Sequence, residues 1–202
     1  MKKSIYMLLG ADRVGKSTTV LSLKKHFYTH NKYYSEPIIK DFHFSGPEPY
    51  HNSPIDQYLI PIIANLDHYQ NENCIFICDR GGSEVCFYEK YRRGVDIPSK
   101  HARRFEQFLL DNFSEIKTYL IYAPWEDIIE RHEKEILDHY PQSTIYYKNL
   151  LLSQRENEHK AYYEYMFYES QNSLLNIEYI FDPRQIVSQL ENLIAAERFY
   201  EN

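Results

Sequence analysis

The chain has 202 residues with 43% hydrophobic and 26% charged, an ordinary globular mix that excludes a disordered or fibrous chain and fits one domain. No apolar run is long enough to cross a bilayer, and the stretch 5–9 behind Lys2-Lys3 is too short for a secretory signal, so a cytosolic protein is expected. The net charge of −6 argues against gripping long nucleic acid and leaves small phosphorylated molecules as the expected partners.

Residues 4–9 form a short apolar run with β-branched Ile5, the pattern of a buried first strand. Residues 10–16 are a loop, and 17–29 place Val20, Leu21, Leu23 and Phe27 at helical spacing. A second strand is expected over 37–44, then a proline-rich loop over 45–54 and a helix over 55–69. Cys74-Ile75-Phe76-Ile77-Cys78 is a continuous apolar run, as in a parallel strand buried on both faces. Helices are expected over 83–93 and 98–113, parted by a turn at Gly94, with a fourth strand over 116–122. Pro124 opens a helix to about Leu137 at the first-turn position that favours proline. Tyr140-Pro141-Gln142 breaks the pattern, and a long helix resumes near Ser143 or Thr144. A fifth strand over 176–181 and a closing helix over 184–198 complete the chain. Strands alternating with helices predict a doubly wound α/β fold with five parallel strands, in one domain over 1–202 without repeats.

The three cysteines, Cys74, Cys78 and Cys86, lack zinc-ligand spacing and read as buried thiols. The 20 tyrosines read as helix faces and loops. With frequent Asn, Ile and Lys, they match the usage of an AT-rich genome such as that of a phage of a low-GC host.

Gly10-Ala11-Asp12-Arg13-Val14-Gly15-Lys16-Ser17 matches the phosphate-loop pattern at every fixed position, between a buried strand and an amphipathic helix. The glycines let the backbone curl so that its N–H groups face phosphate oxygens, and the following helix adds its N-terminal dipole. Lys16 is expected between the β- and γ-phosphates, Ser17 on Mg²⁺ and Thr18 on an inner phosphate. Arg13 is either a solvated loop charge or a cation for the γ-phosphoryl, and Asp12 either pairs with Arg13 or faces the acceptor. Asp79, at a strand end, is a helix cap or a Mg²⁺-water ligand. Arg80 pairs with Glu84 or binds phosphate. Arg92-Arg93 is a solvated helix end or a substrate contact.

Two other phosphate-loop classes are excluded. Asn31-Lys32-Tyr33-Tyr34 lacks the aspartate of a guanine motif, and no L-S-G-G-Q signature of a transport ATPase occurs.

The loop with its central Asp12-Arg13 pair resembles that of thymidylate kinases, and so does Asp79-Arg80 at the end of the third strand. Tyr88 matches the family's aromatic nine residues after the aspartate. Ala64-Asn65, and Ala123-Pro124-Trp125-Glu126 followed by Arg131, resemble further segments. The resemblance implies a five-stranded parallel sheet with a mobile lid, here about 133–149. It also implies transfer of a phosphoryl group from ATP, with Mg²⁺, to a deoxynucleoside monophosphate. It assigns Ala11, Asp12, Arg13, Val14, Gly15, Lys16, Ser17, Thr18 and Arg131 to ATP, with Arg131 near adenine or paired with Glu135. It assigns Asp12, His43, Ile62, Arg80, Glu84 and Tyr88 to the acceptor, and Ser17 and Asp79 to the metal. Arg13, Lys16 and Asp79 are the catalytic residues. Arg13 takes the place of a lid arginine, which 133–149 lacks.

The chain departs from that family at Leu66, where an arginine is expected, and at Ile62, where an aromatic stacks on thymine. Glu84 stands for a serine or threonine, and Glu89 for a glutamine. Beyond strand two only Lys40 and His43 stand where an acceptor-phosphate arginine belongs. The acceptor is therefore dTMP or a different or modified pyrimidine monophosphate. The rival readings are a deoxynucleoside kinase with Glu48 as base and an ATP-binding regulator without turnover. A homodimer is left open.

Overall fold

The computed structural model describes residues 3–30, 38–42, 63–64, 67–68, 74–182 and 188. The elements in chain order are β1 (Lys3–Leu9), α1 (Lys16–His30), β2 (Ile38–Phe42), β3 (Cys74–Cys78) and α2 (Gly82–Arg93). They continue with α3 (Lys100–Asn112), β4 (Glu115–Ile121), α4 (Trp125–His139), α5 (Ile145–Asn172) and β5 (Ile177–Ile180). The strands form one parallel sheet in the order β2-β3-β1-β4-β5. Residues 63, 64, 67 and 68 are helical. The expected loop 45–54 and closing helix 184–198 lie outside the described residues, apart from residue 188.

The continuous apolar runs follow from burial on both faces of the sheet. On one side Ile5, Met7, Phe76 and Cys78 pack with Val85 and Cys86 of α2 and with Ala102, Phe105 and Leu109 of α3. Tyr6, Leu8, Ile77 and Tyr119 belong to a second cluster with Val20 and Leu23 of α1, Ile128 of α4, and Tyr162 and Met166 of α5. Cys78 and Cys86 are free and buried, as their spacing predicts.

In the long helix α5 the buried residues are His159, Tyr162, Met166 and Glu169, spaced three and four apart on one stripe. Glu169 is tolerated there because Arg103 of α3 bonds it and also bonds Glu106 at 2.6 Å. Glu106 in turn accepts from Ser173 Oγ and Leu174 N, both at 2.9 Å, which fastens the end of α5 to α3.

The range 133–149, expected as a lid, is the C-terminal part of α4, a turn and the first residues of α5. Thr144 caps α5 by accepting from Tyr147 N at 3.3 Å. Among the described residues no helix is long and apolar enough to cross a membrane.

Strand order positions the site. β1 and β4 are neighbours, yet the chain leaving β1 returns at β2 on one side and the chain leaving β4 returns at β5 on the other. The C-terminal ends of two such strands open a crevice, where ligands bind in open α/β sheets. Residues 10–15 fill its floor.

Candidate active site

The loop between β1 and α1 turns on its glycines. Gly10 has φ 154°, and a Cβ there would meet Val14 Cγ2 at 2.7 Å and Ile121 O at 2.9 Å. Gly15 has φ 103°, a region nearly closed to residues with a side chain. Arg13 between them is a non-glycine residue at φ 69°.

Lys16 opens α1 and is buried, with Nζ donating to Ala11 O at 2.9 Å and to Gly10 O. Burial pushes the ammonium's pKa down, and the carboxylates of Glu84, Asp12 and Asp79 oppose the fall. Ser17 and Thr18 are exposed at the helix N-terminus. They face an open cleft of about 1000 Å³ that Asp79, Arg80, Ala123, Arg131 and Phe181 also line. Ser17 and Asp79 offer hard oxygen donors on this cleft. No cluster of three or more His, Cys, Asp or Glu among the described residues forms a metal cage. That donor set fits Mg²⁺, which keeps several waters and takes its other ligands from substrate phosphates.

Arg13 reaches along the cleft wall. Its Nε donates to Glu135 Oε2 of α4 at 2.9 Å, and its side chain is 44% exposed. That hydrogen bond holds the Glu135 carboxyl below its ordinary range and raises Arg13 further. Arg131, expected near adenine or on Glu135, donates Nη1 to the Arg13 carbonyl at 2.7 Å and braces the loop from α4.

Asp12 does not pair with Arg13. Its Oδ2 accepts from Arg92 Nη2 at 2.6 Å, and its Oδ1 accepts from Arg80 Nη2 and Tyr88 OH, both at 3.4 Å. Burial opposes ionisation of this carboxyl, but Arg92, Lys16 and Arg80 outweigh it and hold the pKa well below the carboxylate range. Both guanidiniums also lie over the Tyr88 ring, Arg80 at 4.6 Å and Arg92 at 4.4 Å from its centroid. Of the two readings of Arg92, the solvated helix end does not hold, because Tyr88 and Arg92 are four residues apart on α2 and share a face. Arg93 does follow expectation and pairs with Glu89 at 3.3 Å.

Glu84 needs a correction. It was expected beside the acceptor base, but it is fully buried and meets only protein donors. Gly10 N donates to its Oε1 at 3.0 Å, Gly81 N to its Oε2 at 3.1 Å, and Tyr162 OH to Oε1. Glu84 therefore ties the phosphate loop to the start of α2 and to α5. Burial pushes its pKa up, while Lys16, Arg80, Tyr162 and Gly10 pull it back. Three donor partners and no acceptor call for the carboxylate form. Glu84→Ala strands these three buried donors and is expected to lower stability by about 3–5 kcal/mol, read as a shift of the urea midpoint. A loss below about 0.5 kcal/mol would mean that water replaces the carboxylate.

The structure thus brings Asp12, Lys16, Ser17, Asp79, Arg80 and Tyr88 to one end of the sheet, with Arg13 and Arg131 on the cleft wall. His43, Ile62 and Glu48 lie outside the described residues. Arg92, for which a substrate contact was one of two readings, joins the site, and so do Arg155 and Glu158, which the sequence did not single out. Glu158 Oε1 accepts from Arg92 Nε at 2.9 Å, and Glu158 Oε2 from Arg155 Nη1 at 3.4 Å.

No protein-family model and no curated protein matches the chain. Solved structures share its fold. The YorR protein of Bacillus subtilis, in complex with phosphorylated GDP, aligns with a TM-score of 0.55 at 17% identity, over 96% of this chain and 98% of that one. Polyphosphate kinase 2 from Arthrobacter aurescens TC1 aligns with a TM-score of 0.52 at 12% identity, over 90% of this chain and 61% of that one. Thymidylate kinase from Ehrlichia chaffeensis gives a TM-score of 0.41 at 12% identity, over 96% and 100%, which carries no argument about subtype. At these identities the likeness is one of fold: the chain has a P-loop kinase-like α/β fold.

Proposed function

We propose that the protein transfers the γ-phosphoryl group of ATP to a pyrimidine deoxynucleoside monophosphate, dTMP or a different or modified one, releasing ADP and the diphosphate. One observation carries this reading. Asp12 belongs to the phosphate loop and is also the hub of Arg80, Arg92 and Tyr88, while Arg80 lines the nucleotide-sized cleft. A donor site and an anion-binding cluster therefore meet at the loop tip, as two phosphorylated substrates require.

The loop N–H groups and the start of α1 would hold the ATP phosphates, with Lys16 exchanging the carbonyls of Gly10 and Ala11 for phosphate oxygens. An oxygen of the acceptor phosphate attacks the γ-phosphorus, the bond to the β-bridging oxygen breaks, and ADP departs with that electron pair. A monophosphate oxygen is already ionised near neutral pH, so the step needs no protein base. Ser17 and Asp79 would hold Mg²⁺, which neutralises charge on the β- and γ-phosphate oxygens when bound. The pyrimidine base is taken from the resemblance of the loop and of Asp79-Arg80.

The test is ADP release over a panel of deoxynucleosides and their monophosphates. Turnover with monophosphates supports the proposal. Turnover with nucleosides alone replaces it with a deoxynucleoside kinase, and ATP binding without any turnover replaces it with an ATP-binding regulator.

A further inference from the structure

Arg92 occupies an unusual position for a residue in the last turn of a helix. Its guanidinium donates Nη2 to Asp12 and both Nε and Nη2 to a single oxygen of Glu158. Its plane is set by the Tyr88 ring beneath it. The Nε–Nη2 edge is the fork that binds carboxylate or phosphate oxygens in parallel, and here a carboxylate from α5 holds it. Glu158 has a second partner, Arg155, three residues before it on the same helix. It would therefore stay paired if it gave up Arg92.

Lys16, Arg80, Arg92 and Arg155 gather at the loop tip, and the carboxylates of Asp12, Glu84, Glu135 and Glu158 act on them. An arriving phosphate therefore competes with carboxylates for guanidinium edges, and a bidentate fork suits either anion. The Arg92 side chain is 30% exposed, so its edge can be reached from solvent.

We infer that Arg92 binds the phosphate of the acceptor, and that this phosphate takes its Nε–Nη2 edge in exchange for Glu158. Arg92 thereby selects a monophosphate over a nucleoside. The exchange releases one tether between α2 and α5, so acceptor binding is coupled to the helix that follows the 140–144 turn. The inference rests on the monophosphate reading above and adds the residue that enforces it.

The experiment compares the parent protein with Arg92→Ala, Arg92→Lys and Glu158→Gln. It measures KM for whichever of dTMP, dCMP and dUMP turns over, calorimetric affinity for the same three, and affinity for a fluorescent ATP analogue. Arg92→Ala should raise the monophosphate KM and Kd at least tenfold and leave ATP affinity within twofold. Arg92→Lys should recover part of the loss, since it keeps the charge and loses the fork. Glu158→Gln should tighten monophosphate binding severalfold because it removes the competitor. A purely structural clamp would instead make Glu158→Gln weaken the site as Arg92→Ala does, and that result overturns the inference. Equal loss of ATP and monophosphate affinity in Arg92→Ala overturns it as well. If Arg92→Ala does not fold, Arg92→Lys and Glu158→Gln carry the same opposite-sign test. Monophosphate binding that depends on Arg92 without turnover removes the kinase reading and keeps the site. Turnover unaffected by Arg92→Ala keeps the kinase and removes the site. No binding of any of the three removes both.

Discussion

Lys16→Met is expected to lower kcat by about 10³-fold while the protein still folds. Lys16 is buried and its ammonium spans two loop carbonyls. Alanine would therefore leave a gap as well as remove the charge, and methionine, which keeps the stem's volume, is the cleaner probe. Its loss strands the carbonyls of Gly10 and Ala11, but it also removes an ammonium whose pKa burial depresses. These effects oppose each other, so melting should shift by only a few degrees, about the effect of 1 kcal/mol. Catalysis has no such offset, since no other ammonium among the described residues sits inside the loop. Turnover and thermal melting measured on the same preparation should diverge. Activity within tenfold of the parent would end the phosphate-loop assignment.

The parts of the fold that were legible are those where one physical requirement acts on consecutive residues. Residues 74–78 had to be a strand because a parallel strand covered on both faces needs five apolar residues in a row, and β3 has those bounds. Residues 10–17 had to be a phosphate loop because glycine, lysine and serine at those spacings answer to backbone curvature and phosphate charge. Gly10 meets that need with a contact that no Cβ could survive.

What stayed hidden depends on residues far apart in the chain. Glu84 lies three residues after Gly81, a spacing that signals a helix start, so its bond to Gly81 N was open to inference. Its bonds to Gly10 and Tyr162 were not, because they cross 74 and 78 residues. The two readings of Arg92 stayed undecided for the same reason. The spacing to Tyr88 was visible, but a guanidinium over a tyrosine on a helix face becomes a site only when Asp12 arrives from the loop and Glu158 from α5.

Arg13→Ala is expected to lower kcat by about 10³-fold or more with little change in ATP affinity. Charge that develops on the γ-phosphoryl needs a cation already in place, and on the proposed reading Lys16 and a Mg²⁺ held by Ser17 and Asp79 would serve only the bridging side. The range 133–149 offers Lys134 and Lys148 but no guanidinium, and a lysine cannot donate two parallel hydrogen bonds to phosphate oxygens. Arg13 now rests on Glu135 at 2.9 Å, on the wall of the cleft that the loop lines. To serve the γ-phosphoryl it must trade that carboxylate for phosphate oxygens. The backbone supplies a control. At φ 69° a residue with a side chain pays a conformational cost of about 1 kcal/mol, which glycine does not. Arg13→Gly should therefore be at least as stable as Arg13→Ala in thermal melting and just as inactive. A loss of activity caused by loop distortion would appear in Arg13→Ala and be relieved in Arg13→Gly. Loss of the guanidinium would appear equally in both, and Arg13→Lys should restore only part of the rate. A kcat within tenfold of the parent for both variants would place the cation elsewhere, with Arg131, already bonded to the Arg13 carbonyl at 2.7 Å, the next residue to change.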